Sequence, residues 1–241
     1  MKVLAPLFAL WLLLLGEGAV TPEIRPPGTL TGRVVFVGLR PEPLWEQVRK
    51  HRAFCGDRQL VDRLKLSADG GVLGAVVILT GPPARRHPAA DPVALLDNRG
   101  CQFLPRVQVA PVGSRLIVRN SDPILHTAHA RLPDGGTLFH VALPHFRDRT
   151  EAVLAKPGLV RIVCDVGHTW MGAYILVTDN PLVVVTDREG HFRIDGVPPG
   201  SYALQVWHET LGTRQRAVSV PSGGEVTVTI RVSPPEGPVG R

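Results

Sequence analysis

Short runs of valine, isoleucine and leucine recur along this chain, and glycine, proline or aspartate separates each run from the next. β-Branched residues favour strands, and short apolar runs bounded by turn-forming residues fold as strands more readily than as helices. Regular spacing of such strands is typical of β-sandwiches and barrels. We therefore predict an all-β protein. In the first three quarters of the chain the predicted strands cover residues 31–38, 71–80, 106–110, 114–119, 151–154, 159–164 and 173–178.

The composition excludes two other classes of protein. Hydrophobic residues make up 44% of the chain and charged residues 20%, so enough apolar surface is present to offset the entropy lost on folding. The formal net charge is +6, but most of the positive charge is carried by arginines scattered along the chain. No basic run marks a surface for nucleic acid. We expect a folded protein that does not bind nucleic acid.

The first residues have the pattern of a secretory signal. Met1 and Lys2 precede an apolar run over residues 3–15, and small residues follow at 16, 18 and 19. This run is shorter than the roughly 20 apolar residues that a transmembrane helix needs. We predict a signal peptide over residues 1–18 and a mature chain, without a membrane span, in the periplasm or another exported compartment.

The chain has three cysteines, and the predicted compartment permits disulfides. An odd number leaves one thiol for another role. Cys55 and Cys101 both lie in loop-like surroundings with glycine and aspartate nearby, whereas Cys164 follows a predicted strand. We hypothesise a Cys55–Cys101 disulfide, which predicts a single free thiol in the denatured protein.

A second series of predicted strands follows residue 180, at 182–186, 191–194, 202–208, 216–220 and 225–232. Residues 185–206, with their hairpin glycines and a Pro-Pro-Gly-Ser-Tyr turn at 198–202, resemble the carboxypeptidase regulatory-like modules, which are also described as transthyretin-like or carbohydrate-binding-like. The resemblance implies a small β-sandwich. It implies little about function, because such modules serve as spacers, docking surfaces or sugar binders.

Metal-binding side chains concentrate in two segments. Cys164, His168 and Met171 lie within eight residues between two predicted strands, and His126 lies upstream in a separate loop. Two imidazoles, a thiolate and a weakly bound thioether are the ligands of a blue-copper centre, because sulfur suits Cu(I) and imidazole accepts Cu(II). A tight loop between strands can present three of these ligands around one point, and a histidine from a more distant loop can close the site.

These two segments, 120–129 and 164–171, resemble the ligand segments of the cupredoxin family, in its plastocyanin/amicyanin-like branch. The two-unit arrangement resembles exported proteins of the methylamine-utilisation type. The resemblance implies a Greek-key β-sandwich with one mononuclear copper ion. It implies that Asn120 braces the upstream loop, and that the copper ligands are His126, Cys164, His168 and Met171.

The sequence departs from the family pattern at two points. The spacing from Cys164 to His168 is one residue longer than in the common Cys-x2-His-x2-Met loop, which bears mostly on the assignment of Met171. Thr127 stands where the family usually has an asparagine that braces the cysteine loop, and a threonine can do so only through its shorter hydroxyl.

The other histidines are predicted to have no part in the copper site. His129 follows His126 by three residues, and such residues of a strand point to opposite faces. His140 and His145 are interpreted as rim or core residues, His208 as a structural hydrogen-bonding residue, and His51, His87 and His191 as surface residues.

The chain is thus divided into a signal peptide (1–18), a cupredoxin-like domain (28–179) with an N-terminal extension (28–99), a carboxypeptidase regulatory-like β-sandwich (180–233) and a flexible tail (234–241). Within the extension, Leu44, Val48 and His51 stand at helical spacing and predict a short helix over residues 43–54. The first strands of the extension could instead belong with the second unit, which would interleave the two domains.

Three functions compete. In the first, the protein carries single electrons, which leave through the edge of His168 beside a surface Trp170 to a redox protein such as a c-type cytochrome or a periplasmic dehydrogenase. In the second, it binds and handles copper without redox turnover. In the third, it is a metal-free structural or carbohydrate-binding accessory protein. The sequence lacks the common hydrolase and phosphate-binding motifs, so we do not expect an enzyme.

Overall fold

The structure is a computed structural model that describes residues 25–61, 63–83, 91–144, 146 and 148–234. Within these residues the chain forms eighteen strands and one helical turn, which confirms the predicted all-β class. None of the described helical residues forms a segment long and apolar enough to cross a membrane. The predicted signal peptide, residues 235–241 of the predicted tail, His87 and His145 lie outside the described residues.

The elements are numbered in chain order. They are β1 (Gly28–Phe36), β2 (Leu44–Gln47), α1 (Arg52–Cys55), β3 (Arg58–Val61), β4 (Val76–Thr80), β5 (Val93–Asn98), β6 (Phe103–Leu104), β7 (Val107–Ala110), β8 (Arg115–Asn120), β9 (His126–Arg131), β10 (Thr137–Leu143), β11 (Arg149–Val153), β12 (Gly158–Val163), β13 (Gly172–Val177), β14 (Val183–Val185), β15 (His191–Val197), β16 (Gly200–His208), β17 (Gly212–Val220) and β18 (Glu225–Val232).

The first sandwich is built from β5 to β13. One of its sheets has the order β10-β9-β12-β13-β7 and the other the order β11-β8-β5-β6. Residues that alternate along the strands point inward and form a single core, with Leu96, Leu116, Ile162 and Ile175 fully buried. The two segments with the metal-binding side chains meet at one end of this core, because β9 and β12 are hydrogen-bonded neighbours.

The second sandwich has sheets of order β15-β1-β18 and β14-β4-β16-β17. β1 and β4 therefore occupy central positions in the sheets of the second unit, although they precede the first sandwich in the chain. The boundary placed at residue 180 does not separate the two sandwiches, and the interleaved alternative is the arrangement observed. The physical reason is burial, since every second residue of β1 packs into the second core.

Gly32 shows how closely β1 is packed. A Cβ at this position would lie 2.5 Å from the Phe192 ring and 2.4 Å from the carbonyl oxygen of Val228. Only glycine allows the strands on both sides, β15 and β18, to approach β1 this closely.

The helix predicted over residues 43–54 is wrong. Residues 44–47 form β2, which pairs with β3 in a small hairpin, and only Arg52–Cys55 form a helical turn. Helical spacing failed as a signal because Leu44 is exposed while Val48 is buried, so the two do not share a buried face. We call residues 44–61 the cap, because Val48, Cys55 and Val61 pack onto the core of the first sandwich.

Thr186 links two parts of the second sandwich through a buried hydroxyl. Its Oγ1 accepts the Ala75 backbone N–H at 2.9 Å and donates to the Val72 carbonyl at 2.6 Å. Replacing Thr186 by valine leaves both backbone groups buried without partners, so we expect a loss of about 2 to 4 kcal/mol in the free energy of unfolding. Denaturant unfolding measures this, with exposed Thr213→Val as the control; equal stability of the two variants would contradict it.

Candidate metal centre

Three ligand atoms converge at the end of the first sandwich. Nδ1 of His126 lies 3.2 Å from Nδ1 of His168, and Cys164 Sγ lies 3.9 Å and 3.7 Å from these two nitrogens. His126 is the first residue of β9, Cys164 directly follows β12, and His168 lies in the loop that leads to β13. Both imidazoles are fully buried and Cys164 is 5% exposed.

The spacing of these atoms fits one metal ion. Metal–nitrogen bonds of about 2.0 Å and metal–sulfur bonds of about 2.3 Å allow one ion to join nitrogens up to about 4.0 Å apart, and a nitrogen and a sulfur up to about 4.3 Å apart. All three observed separations are smaller than these limits. Two imidazoles and one thiolate suit copper, and a zinc ion accepts the same donors.

Asp122 holds the outer side of His126. Its Oδ2 lies 3.0 Å from His126 Nε2, which leaves Nδ1 directed at the site. The carboxylate is 2% exposed and also accepts the backbone N–H groups of Gly100 and Cys101, at 2.7 and 2.9 Å. A carboxylate that receives the second ring N–H of a histidine ligand orients the ring and raises its basicity. Sequence reasoning missed Asp122, although an aspartate four residues before His126 was visible.

His168 is held in the same way by another histidine. His51 Nδ1 lies 3.0 Å from His168 Nε2, and the rings meet edge to face with centroids 5.1 Å apart. The prediction of His51 as a surface residue missed this contact: the cap places its ring half-buried, against the ring of His168. The cap also contacts this loop through Glu46, whose carboxylate accepts the hydroxyl of Thr169.

Thr127 braces Cys164 on two sides. Its backbone N–H points at Cys164 Sγ from 3.4 Å, and its Oγ1 accepts the backbone N–H of Asp165 at 2.8 Å. The shorter hydroxyl thus reaches the cysteine loop, as the bracing role of this position requires. N–H groups directed at the sulfur tune the properties of a bound metal.

Asn120 fixes the loop before His126. Its Nδ2 donates to the carbonyls of Ile124 and Leu143 at 2.8 and 2.9 Å, and its Oδ1 accepts the backbone N–H of Asp122 at 3.0 Å. Asn120 is fully buried, so these bonds are shielded from water. The structure places Asn120 in the loop-bracing position predicted for it.

Burial sets the protonation of the three groups. It lowers the pKa of His168 to about 4, and it lowers the pKa of His126 against the opposing effect of Asp122. Both imidazoles are therefore neutral at pH 7 and offer a lone pair. Burial raises the pKa of the Cys164 thiol, so this group is protonated at pH 7, and a cation that binds to the sulfur displaces the proton.

Trp170 is not at the surface, so the electron-transfer surface predicted there is wrong. It is 4% exposed, its ring lies against His168 with centroids 5.1 Å apart, and its Nε1 donates to the Cys101 carbonyl at 2.9 Å. Met171 is also buried, and its backbone N–H donates to the His168 carbonyl at 2.9 Å. The axial role of its sulfur remains a prediction.

The second sandwich contacts the end of residues 164–171, which we call the metal loop because they carry Cys164, His168 and Met171. Arg106 donates to the Gly172 carbonyl at 3.0 Å and to Glu209 of the second sandwich at 2.7 Å. Gly172 directly follows Met171, so the second unit braces the segment that carries this side chain. His208, beside Glu209, is buried and accepts the Thr210 N–H at 3.2 Å, which agrees with the structural role predicted for it.

Replacing Asp122 by asparagine tests the support of His126. The amide presents a donor where the carboxylate has only acceptors, so His126 loses its partner or the N–H groups of the Cys101 loop lose theirs. We expect copper affinity to fall about 10- to 100-fold. Competition with a chelator measures the affinity. The control is Asp134→Asn, an exposed carboxylate that also accepts a backbone N–H; unchanged affinity in the Asp122 variant would show that this contact is dispensable.

Comparisons with known proteins identify one domain and several similar structures. A model of the carboxypeptidase regulatory-like domain matches residues 161–233. This confirms the predicted regulatory-like unit, although the matched range begins earlier, within β12 of the first sandwich. No curated protein sequence matches the chain at a significant level.

Solved structures with similarity to part of the chain include cupredoxins. A purple cupredoxin from Nitrosopumilus maritimus is 23% identical, and the match covers 36% of this chain and 100% of that one, with a TM-score of 0.31. A reduced amicyanin variant is 17% identical over 42% of this chain and 98% of that one, with a TM-score of 0.32. A copper-containing nitrite reductase from Thermus scotoductus is 23% identical over 41% of this chain and 25% of that one, with a TM-score of 0.31.

Proposed function

We propose that this protein is an exported blue-copper protein that carries single electrons between redox partners and catalyses no reaction itself. The observation that carries the proposal is the buried convergence of His126 Nδ1, Cys164 Sγ and His168 Nδ1. One thiolate and two imidazoles are the equatorial ligands of a blue-copper site. When bound, copper supplies the one-electron couple.

The chain's own residues hold the ligand atoms in place. Asp122, His51 and Thr127 each fix one ligand from its outer side, and a rigid sandwich core lies beneath them. Ligands that are held in this way change position little between two oxidation states. A small rearrangement is what a fast electron carrier needs.

The structure changes the predicted exit for electrons. The edge of His168 is fully buried and cannot meet a partner directly. His51 is partly exposed and lies within hydrogen-bonding distance of His168, so the short path from the ligands to the surface runs through His51. Phe54, which is 43% exposed, offers apolar surface in the same turn of the cap. We propose that a redox protein docks here, with an acidic face that suits the net charge of +6.

The visible absorption spectrum tests the proposal. After loading with Cu(II), we expect one copper ion per chain and an intense thiolate-to-copper band at about 600 nm. Metal analysis of the same sample gives the stoichiometry. Protein that retains no copper after loading would refute the proposal, and one tightly bound zinc ion in place of copper would point to a structural metal.

Copper storage or delivery is a second candidate function, and the full burial of both imidazoles favours it. The two functions differ in rates. A carrier exchanges electrons rapidly between its Cu(II) and Cu(I) forms without losing the ion. A storage protein binds Cu(I) tightly, exchanges electrons slowly and releases the ion when the cap opens.

A further inference from the structure

A second group of metal-binding side chains lies on the outer face of the sheet next to the first site. We propose that His129, His140 and Asp165, which we call the rim cluster, bind a divalent ion such as Zn²⁺ or Cu²⁺. Their ligand atoms all lie within 4.8 Å of one another. Two imidazoles and one carboxylate form a donor set that suits divalent transition ions, and this site has no sulfur.

The strands place these three residues together. His129 on β9 pairs directly with His140 on β10, and it also pairs with Val163 of β12, two residues before Asp165. The two imidazole rings stack, with centroids 4.5 Å apart and planes 21° apart. Directly paired residues on adjacent strands hold a fixed separation, so the backbone fixes the pair before any ion arrives.

The carboxylate of Asp165 faces both rings. Its Oδ2 lies 2.6 Å from His129 Nδ1 and 3.6 Å from His140 Nε2. An ion between these atoms takes the place of the hydrogen that His129 and Asp165 share. The position of Asp165 is itself fixed, because its backbone N–H donates to Thr127 at 2.8 Å.

The outer nitrogen of His129 has a partner that suits a ligand. Nε2 lies 2.8 Å from the hydroxyl of Thr137, so this nitrogen can donate its hydrogen there and leave Nδ1 free to bind an ion. A partner on the second ring nitrogen is a regular feature of histidine ligands. The side chains of His129, Asp165 and His140 are 16%, 36% and 47% exposed, so water can reach the site and complete the coordination.

Arg131 opposes cation binding at this site. Its Nη2 lies 3.4 Å from Asp165 Oδ1 and 3.4 Å from His129 Nδ1. Arg131 thus contacts one proposed ligand atom, His129 Nδ1, as well as the Asp165 oxygen that does not face the imidazoles, and its positive charge lowers the affinity for a cation. Replacing Arg131 by glutamine is therefore expected to raise the affinity for the ion by about 3- to 10-fold.

Zn²⁺ titration of four proteins, followed by calorimetry, tests the rim cluster. The Cys164→Ser variant lacks the thiolate of the first site and is expected to bind one Zn²⁺ ion. Adding His140→Gln to this variant is expected to weaken that binding on the order of 100-fold, because one of three ligands is lost. The control adds His191→Gln instead, an exposed histidine near Asp187 without a second imidazole. The fourth protein adds Arg131→Gln to Cys164→Ser and should bind Zn²⁺ more tightly than Cys164→Ser alone.

The outcomes separate this proposal from that of the first site. No Zn²⁺ binding to Cys164→Ser, or equal binding with and without His140, would overturn the rim cluster. Binding that depends on His140, in a protein that shows no blue band when Cys164 is present, would support the rim cluster and reject the first site. Circular dichroism checks that each variant is folded.

Discussion

Replacing Cys164 by serine is expected to abolish the intense visible band of the copper-loaded protein. The band arises from charge transfer between the thiolate and Cu(II), and serine offers no sulfur. Cys164 is the free thiol among the described cysteines, so no other thiolate can replace it. Serine has nearly the same shape and Cys164 lies at the end of a strand, so we expect the fold to persist. Absorption spectra of both proteins after Cu(II) loading provide the measurement.

Two further variants make this result interpretable. Met171→Leu removes only the predicted axial thioether. We expect this variant to keep an intense band, with a change in the wavelength of the band or in the reduction potential of the copper. His126→Ala removes an imidazole whose outer side is held by Asp122, and we expect a loss of most of the band. A full band in Cys164→Ser would show that the sulfur does not bind the metal.

Removal of the disulfide is expected to have the largest effect on stability. Cys55 and Cys101 form a disulfide across 46 residues, as hypothesised from the sequence, and it ties the cap to the loop before β6. On the chain-entropy model, replacing both residues by alanine costs about 4 kcal/mol of unfolding free energy. The cap should also loosen, so that His51 no longer covers His168. Denaturant unfolding measures the first effect, and the rate of copper loss to a chelator measures the second.

The single variant His51→Ala is the control for the second effect. It removes the contact with His168 but keeps the disulfide, so copper should be lost faster with little change in stability. If the double cysteine variant loses copper as slowly as the unaltered protein, the cap does not control access to the site. If its stability falls by less than about 1 kcal/mol, the entropic effect is offset elsewhere.

The sequence predicted the strands of the second unit well. The predicted strand at 225–232 coincides with β18, and the prediction at 202–208 lies within β16. Alternation of apolar and polar residues is a local signal, and it survives in the folded strands because one face of each strand is buried. The sequence also predicted that His126, Cys164 and His168 lie together, because Cys164 and His168 are close in sequence and His126 follows Asn120 at the spacing of the family pattern.

The sequence did not predict which sheet each strand joins. β1 alternates like the strands of the first sandwich and β4 is a short apolar run, so neither pattern indicates a sheet. The partners of β1 in β18 lie almost two hundred residues away, and no local sequence signal reports such pairing. The sequence did not predict the residues that contact the three site residues, for a related reason. His51, Asp122 and Trp170 gain their roles only when the cap and the Cys101 loop fold against the metal loop.

The position of β1 also affects the order in which the strands can pair during synthesis. Its ladder partners lie in β15 and β18, at residues 191–197 and 225–232. During synthesis, all strands of the first sandwich are complete before either partner of β1 exists. β1 therefore stays unpaired while the strands of the first sandwich can already pair with one another.

An unpaired strand exposes backbone groups that can pair with other chains. Pairing between strands that are distant in sequence also slows folding. Thr29, Thr31 and Arg33 lower the hydrophobicity of β1 during this interval. The first of the described strands is therefore among the last to pair, because its sheet is complete only after β18 has been made.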